Sequence, residues 1–223
     1  MGLFIIGDVH GCLYTYIRLM EHWDPKTETM IQVGDLIDRG KHSSQCIKLA
    51  FELENTFKEQ AVFLKGNHEQ LMIDYLTETN DHLNWLNNGG METLKEFKQS
   101  EVDPFFYMGW IKTRPLTWNN DKVMVSHAGF SVAAKDPFDV RDTDGLLWNR
   151  KPLLDIGKIQ VIGHTPLLNG KPEYSSSSKS WNIDTGAYRN ICLTGIKLRD
   201  DGKFLEAISI PTDPRDLDLE KVF

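Results

Sequence analysis

The sequence predicts a mixed α/β fold in which two β-sheets pack as a sandwich and helices flank them. Three observations support this prediction. Short apolar runs alternate with helical patterns in the first third, a middle stretch has helical spacing, and the last half is rich in short strand-like runs. With 223 residues, of which 26% are charged, the chain is expected to form one domain over residues 1–223.

A strand–helix pattern recurs through the first third. Apolar runs at residues 3–6, 30–33 and 61–64 predict buried strands, and a glycine and a polar cluster follow each run. Strands that alternate with helices indicate a parallel sheet. Ligands of such sheets bind beyond the carboxyl ends of the strands. The polar clusters therefore predict a functional site at this edge of the sheet.

The rest of the chain supplies a helical lobe and a second sheet. Residues 70–112 read as mainly helical, with an interrupting turn at residues 87–90. Residues 211–223 form an acidic tail that we expect to be irregular. A second sheet packed on the first is the economical arrangement. Strands in the β-rich last half are predicted at residues 116–118, 122–126, 159–162, 181–183, 191–198 and 204–210.

Composition excludes several classes of protein. A net charge of -7 argues against a nucleic-acid partner, because nucleic-acid binders usually carry a basic surface. No apolar run approaches the ~20 residues that span a bilayer. Asp8 and His10 interrupt the first apolar run, so no secretory signal or membrane association is expected and the cytoplasm is the expected compartment. Three cysteines without CxxC spacing indicate neither a disulfide framework nor a zinc knuckle.

Polar residues that suit metal binding follow five of the predicted strands. Carboxylate and imidazole ligands together suit manganese, iron or zinc. Two metals roughly 3.5–4 Å apart need a shared ligand, and Asp35 is the natural bridge because it ends the middle strand of the first three. Turn formation would explain any single cluster, but five glycine-flanked clusters favour a shared site. The residues are Asp8, His10, Asp35, Asp38, Asn67, His68, His127 and His164.

Five motifs carry a resemblance to a known family. GDVHG at 7–11, GDLIDRG at 34–40, GNHE at 66–69, SHAG at 126–129 and GHTP at 163–166 resemble the calcineurin-like metallophosphoesterases. Within that family the chain resembles the small bacterial and phage serine/threonine phosphoprotein phosphatases. The resemblance implies metal-dependent hydrolysis of phosphomonoesters, a phosphorylated protein or peptide as substrate, and two divalent ions, foremost Mn²⁺, with Fe or Zn as alternatives. We expect a monomer or a weak oligomer.

The resemblance also implies a role for each site residue. Asp35 would bridge both ions, Asp8 and His10 would complete the first metal site, and Asn67, His127 and His164 would complete the second.

Four further residues would act on the substrate. His68 would protonate the leaving group and Asp38 would orient His68, while Arg39 and Arg150 would bind phosphoryl oxygens. The attacking group would be a metal-activated water, so no phosphoenzyme is needed.

Two alternatives to a protein phosphatase remain open. The first is a symmetrical diadenosine-tetraphosphate hydrolase or another small-molecule phosphoesterase of the same superfamily. The dinucleotide hydrolases share the GDVHG motif and the ligands, but they usually lack an aspartate at the position of Asp38, read GNHD instead of GNHE, and are longer. The present sequence therefore sides with the phosphatases. An inactive scaffold on the same fold would be expected to lose a ligand or the acid, and this chain has all of them.

Overall fold

The structure is a computed structural model that describes residues 2–77 and 82–217, and only the backbone of residues 82 and 83. In chain order its elements are β1 (Gly2–Ile6), α1 (Leu13–Met20), β2 (Glu28–Gln32), α2 (Ser43–Phe57), β3 (Ala61–Phe63), α3 (Asn67–Leu76), α4 (His82–Trp85), α5 (Met91–Gln99), α6 (Pro104–Lys112), β4 (Thr117–Asn119), β5 (Val123–Ser126), β6 (Ile159–Ile162), β7 (Glu173–Ser175), β8 (Ser180–Asn182), β9 (Cys192–Arg199) and β10 (Phe204–Pro211).

The strands form two five-stranded mixed sheets. The first has the order β10-β9-β1-β2-β3 and the second has the order β4-β5-β6-β8-β7. β1, β2 and β3 pair in parallel, and β9 and β10 extend that sheet antiparallel. In the second sheet β5, β6 and β8 are parallel, with antiparallel edge strands. The predicted mixed α/β fold with two sheets is therefore confirmed.

The side chains of β1 show how the layers pack. Leu3 and Ile5 belong to the apolar cluster that joins the two sheets, together with Val125 and Val161 of the second sheet. Phe4 and Ile6 point the other way, into the cluster that contains the helices. Alternate residues of a strand face opposite sides, so a strand buried on both faces reads as a continuous apolar run.

The helical lobe lies where the sequence predicts it. α3 covers residues 67–76, and α4, α5 and α6 cover residues 82–85, 91–99 and 104–112, with a π-helical turn at Leu86–Gly90 between α4 and α5. The part of the predicted lobe at 78–81 lies outside the described residues. Gly89 has a φ of 108°, a conformation that favours glycine, which explains the predicted break. Among residues 2–77 and 82–217, no helix is both long enough and apolar enough to cross a bilayer.

The end of the described chain completes the start of α1. The Asp216 carboxylate is buried and accepts hydrogen bonds from the backbone N–H groups of Tyr14 and Thr15, each at 2.9 Å, and from the Thr15 hydroxyl at 2.6 Å. The first N–H groups of a helix lack partners within the helix, and Cys12, which precedes α1, supplies no side-chain cap. A residue about 200 positions away therefore caps this helix.

Asp216→Ala should destabilise the protein by about 3 kcal/mol, because it leaves buried N–H groups without an acceptor and removes a negative charge from the helix start. For a chain of this size the melting temperature should fall by about 6–12 °C. Chemical and thermal unfolding measure the effect, and Asp121→Ala at an exposed turn is the matched control. Equal stability of the two variants would contradict the capping role.

Candidate metal centre

The carboxyl ends of β1, β2, β3, β5 and β6 meet at one edge of the sandwich. The segments that follow these strands carry every residue that the motifs single out as a ligand, with Asn67 at the start of α3. The structure thus joins clusters that are up to 156 positions apart in the chain. All six predicted ligands are buried here: Asp8, His10, Asp35, Asn67, His127 and His164.

Asp35 lies at the centre of the cluster. Its Oδ2 is 3.5 Å from Nε2 of His10 and 3.5 Å from Nε2 of His127. Burial alone would raise the pKa of Asp35, but His127, His68 and His10 outweigh it and hold the pKa below the usual value. His10 donates from Nδ1 to the Ile37 carbonyl at 2.9 Å, so its Nε2 keeps a lone pair that faces Asp35. This is the arrangement expected of a bridging carboxylate.

Three donor atoms converge on one side of Asp35. Oδ1 of Asn67 is 2.9 Å from both Nε2 of His127 and Nδ1 of His164, and these nitrogens are 3.1 Å apart. His127 donates from Nδ1 to the Val33 carbonyl at 3.1 Å, which leaves its Nε2 free to bind a metal. Burial lowers the pKa of His164 to about 3, so this imidazole is neutral, as a ligand must be.

Asp8 completes the other side. Its Oδ2 accepts a hydrogen bond from the His164 backbone N–H at 3.0 Å, while its buried Oδ1 has no partner among the described residues. Burial raises the pKa of Asp8, and the carboxylates of Asp184 and Asp35 raise it further. Several buried carboxylates side by side repel one another unless a cation lies between them. The cluster therefore fits divalent metal ions.

The side chains that could hold a metal ion form two sets, and Asp35 belongs to both. His10, Asp35 and His68 form one set, and Asp35, His127 and His164 form the other, with the donor atoms of each within 4.8 Å of one another. The shared carboxylate agrees with the predicted bridge. The first set contains His68, which the sequence assigns to proton transfer and not to a metal. The contacts of His68 indicate which of the two roles, proton transfer or metal binding, it is suited to.

His68 is held by a buried carboxylate. Its Nδ1 donates to Oδ2 of Asp38 at 2.6 Å. Trp85 donates to the same oxygen at 2.8 Å, and the Thr93 hydroxyl donates to Oδ1 at 2.6 Å. Burial lowers the pKa of His68, but Asp35 and Asp38 more than offset it and hold the pKa above its usual value. The raised pKa favours the protonated form of His68, which suits a proton donor better than a metal ligand.

The two predicted phosphate-binding arginines face the same space. Arg39 and Arg150 both line a cavity of about 190 Å³ together with His10, His68 and His164. Arg150 donates to the Thr165 hydroxyl at 3.4 Å. A guanidinium carries several N–H donors in a fork that matches phosphoryl oxygens. Two such groups above a metal centre can bind a tetrahedral anion.

Arg39 also contacts a residue that the sequence left without a role. Its guanidinium carbon lies 4.2 Å from the ring centroid of Tyr188, and its Nη2 is 3.1 Å from Nε2 of His68. The Tyr188 ring packs edge-on against His10 at 4.9 Å between centroids. Tyr188 therefore fixes Arg39 at the rim of the metal cluster. WNIDTGAY at 181–188 contains it, but no spacing rule points to position 188.

Glu69 is a second residue whose role was missed. Its buried carboxylate accepts hydrogen bonds from the backbone N–H groups of Asp35, Leu36 and Gly66, each at 2.8 Å. It thereby ties the loop after β2 to the start of α3, which carries Asn67. Glu69 appears in the GNHE motif, but only the fold shows that it positions two ligand-bearing segments.

The site backbone is strained. Nine non-glycine residues of the described chain have positive φ, and five of them belong to the site: His10, Asp35, Asp38, Arg39 and His164. This left-handed conformation costs a non-glycine residue about 1–3 kcal/mol, and it clusters at functional sites. The neighbouring glycines allow the backbone to pass close to other groups of the site, since a Cβ atom on Gly163 would collide with the Asp8 carboxylate. Glycine therefore flanks the motifs because there is no room for a larger side chain.

Comparisons with known proteins agree with this geometry. The sequence model of the calcineurin-like phosphoesterases matches residues 1–195. Serine/threonine-protein phosphatase 2 of Salmonella typhimurium is 30% identical over 88% of this chain and 93% of its own length. An asymmetrical bis(5'-nucleosyl)-tetraphosphatase of Bacillus cereus is 27% identical over 93% of both chains. A serine/threonine phosphatase structure from Saccharomyces cerevisiae, 19% identical, superposes with a TM-score of 0.70 over 96% of this chain and 80% of its own. The chain therefore belongs to the calcineurin-like phosphoesterase family.

Proposed function

We propose that this protein is a metal-dependent phosphatase that hydrolyses phosphoserine and phosphothreonine in proteins. One observation carries the proposal, namely the 2.6 Å hydrogen bond between Asp38 and His68, with Trp85 and Thr93 fixing the carboxylate. A poorly acidic alcohol leaves more readily when a proton donor stands beside it. The proposed ligands are Asp8, His10 and Asp35 for one ion and Asp35, Asn67, His127 and His164 for the other.

The groups at the metal centre have separate chemical roles. Divalent ions, when bound, supply activated water and offset charge on the phosphoryl oxygens. Arg39 and Arg150 bind those oxygens and orient the phosphorus for in-line attack. Nη2 of Arg39 lies 3.1 Å from Nε2 of His68, so a phosphoryl group bound by Arg39 lies next to that nitrogen. In its protonated form His68 carries a proton on Nε2 and donates it to the leaving oxygen, while Nδ1 stays bonded to Asp38.

No side chain is assigned as a nucleophile. Cys12 lies two residues from His10 in sequence, but burial raises the pKa of its thiol, and the thiol donates to the His10 carbonyl. A buried thiol with a raised pKa holds little thiolate and reacts slowly. Direct attack by water without a phosphoenzyme is consistent with this arrangement.

Hydrolysis of dinucleoside polyphosphates is the second candidate function. The Bacillus cereus relative named for that activity matches this chain over 93% of both lengths. That relative is an asymmetrical hydrolase, whereas the length argument drawn from the sequence concerned the symmetrical hydrolases, and a symmetrical hydrolase of Glaesserella parasuis aligns over only 46% of its own length. Chain length therefore separates a phosphatase from the symmetrical hydrolases but not from the asymmetrical ones. What still favours the phosphatase is Asp38 with its three hydrogen-bond donors.

A direct assay decides between the two. With manganese present, we expect kcat/KM for a phosphoserine peptide to exceed that for diadenosine tetraphosphate by at least about tenfold, since each 1.4 kcal/mol of preference is a factor of ten. Repeating the assay with zinc and iron identifies the preferred metal. Asp35→Asn serves as the control that any turnover belongs to this centre. Faster turnover of the dinucleotide would overturn the proposal.

A further inference from the structure

A second, larger cavity adjoins the metal centre. Its volume is about 950 Å³, against about 190 Å³ for the cavity over the ligands. Pockets that hold whole small ligands measure about 300–1,000 Å³, so the smaller cavity suits little more than a phosphoryl group. Arg39 lines both cavities, and Tyr188, which lines the larger one, touches His10 of the metal cluster. The rest of a substrate held by its phosphoryl group can therefore enter the larger cavity.

The charged lining of this cavity favours anions. Four cationic residues, Arg39, Lys41, Lys95 and Arg189, face two acidic ones, Glu92 and Glu96.

Glu96 is already engaged. Its carboxylate accepts hydrogen bonds from the N–H group of Ser44 at 2.8 Å and from the Ser44 hydroxyl at 2.5 Å, at the start of α2. Lys41 lies in the loop before α2 and Lys95 on α5, so exposed ammonium groups reach the cavity from two elements. On a protein with a net charge of -7, such a local group of cations decides which ligands are attracted.

The rings in the lining argue against a nucleobase. Base recognition uses open aromatic faces for stacking. Arg39 and Arg189 lie over the Tyr188 ring at 4.2 and 5.0 Å from its centroid. The His42 ring packs edge-on against the Tyr14 ring, with 5.2 Å between centroids. The rings of the lining therefore already have partners, and what the cavity offers is mainly positive charge.

We infer that this cavity binds an acidic segment of the phosphorylated substrate. Carboxylate side chains next to the phosphoserine or phosphothreonine contact Lys41 and Lys95 while the phosphoryl group lies at the metal centre. The inference rests on the proposed protein phosphatase activity and adds a preference for acidic neighbours of the phosphorylated residue. Because the cations are exposed, the preference should weaken as salt is added.

The test uses three substrates and one double variant. The substrates are a phosphoserine peptide flanked by glutamates, the same peptide with glutamines, and p-nitrophenyl phosphate, which has no flanking segment. The variant is Lys41→Glu with Lys95→Glu. We expect the variant to lower kcat/KM for the glutamate peptide about tenfold, a few-fold for each reversed charge. Turnover of the glutamine peptide and of p-nitrophenyl phosphate should change less than about twofold, because neither places a carboxylate in the cavity.

A matched variant controls for net charge. Lys122→Glu with Lys203→Glu makes the same charge change at exposed positions outside both cavities, and it should leave the peptide preference intact. Equal loss in both double variants, equal loss on all three substrates, or no loss would overturn the inference alone. If the unmodified protein cleaves diadenosine tetraphosphate and neither peptide, the proposed function falls and the inference falls with it.

Discussion

His68→Asn should lower kcat on phosphoserine peptides by about 10²–10⁴-fold, the usual contribution of a positioned proton donor. Both metal ions should remain bound, because the role proposed for His68 is proton transfer and not metal coordination. The asparagine amide can still donate to Asp38, so the local structure should persist. Metal content per chain and kcat, measured on the same sample, separate the two roles.

The leaving group makes the His68 test specific. The p-nitrophenolate group departs without protonation, so the variant should lose much less activity on p-nitrophenyl phosphate than on a serine phosphate. His22→Asn, at an exposed position outside the site, is the control and should match the unmodified protein. If His68→Asn instead loses metal and regains full activity at saturating manganese, His68 is a ligand, as its grouping with His10 and Asp35 permits.

The pH profile adds an independent measure of the same role. Because the pKa of His68 is raised, its acid form persists to a higher pH than that of an ordinary histidine, and activity should fall as the pH rises past that pKa. Asp38→Asn removes a hydrogen bond and a negative charge that favour protonation. The alkaline limb of kcat should therefore move to lower pH in this variant. If the alkaline limb of the kcat profile lies at the same pH in Asp38→Asn as in the unmodified protein, a group other than His68 titrates there.

Asp35→Asn should weaken both metal sites together, each by at least about 100-fold. The physical reason is the position of Oδ2, 3.5 Å from Nε2 of His10 on one side and from Nε2 of His127 on the other. An amide oxygen carries no net charge and bridges two cations poorly. Titration calorimetry with manganese measures both sites in one experiment.

Metal-dependent stability checks the bridge by a second route. A ligand at 100 times its Kd stabilises the folded state by about 2.7 kcal/mol per site. Manganese should therefore raise the melting temperature of the unmodified protein and of the control Asp121→Asn, but not that of Asp35→Asn. Loss of only one ion in Asp35→Asn would argue against a bridging role and favour two separate sites.

Most of the fold followed from local patterns in the sequence. The buried strands read as apolar runs because both faces of β1 are covered, as Phe4 and Ile5 show in opposite clusters. The cap of α1 could not be predicted, since Asp216 lies in a tail that we expected to be irregular. A long-range hydrogen bond leaves no periodic signal. The part of that tail at 218–223 lies outside the described residues.

The candidate site also contains residues that the sequence could identify and residues that it could not. Residues at strand ends, such as Asp35 and His127, could be identified because parallel strands bring their carboxyl ends together. Trp85 and Thr93 could not, because they reach Asp38 from the helical lobe. The sequence predicted only that position 85 lies in the helical stretch at residues 70–112. In the fold, the indole N–H of Trp85 donates a hydrogen bond to the Asp38 carboxylate at 2.8 Å.

The left-handed backbone of the site bears on how this protein could be engineered. Glycine adopts positive φ without the steric cost that Asp38 and Arg39 incur at 72° and 71°. A screen that rewards heat resistance would therefore accept glycine at position 39, but not at position 38, where the buried carboxylate satisfies three hydrogen-bond donors. A screen that rewards turnover would reject glycine at both positions. Selection for robustness and selection for catalysis therefore act against each other at Arg39, a residue that lines the cavity over the metal ligands.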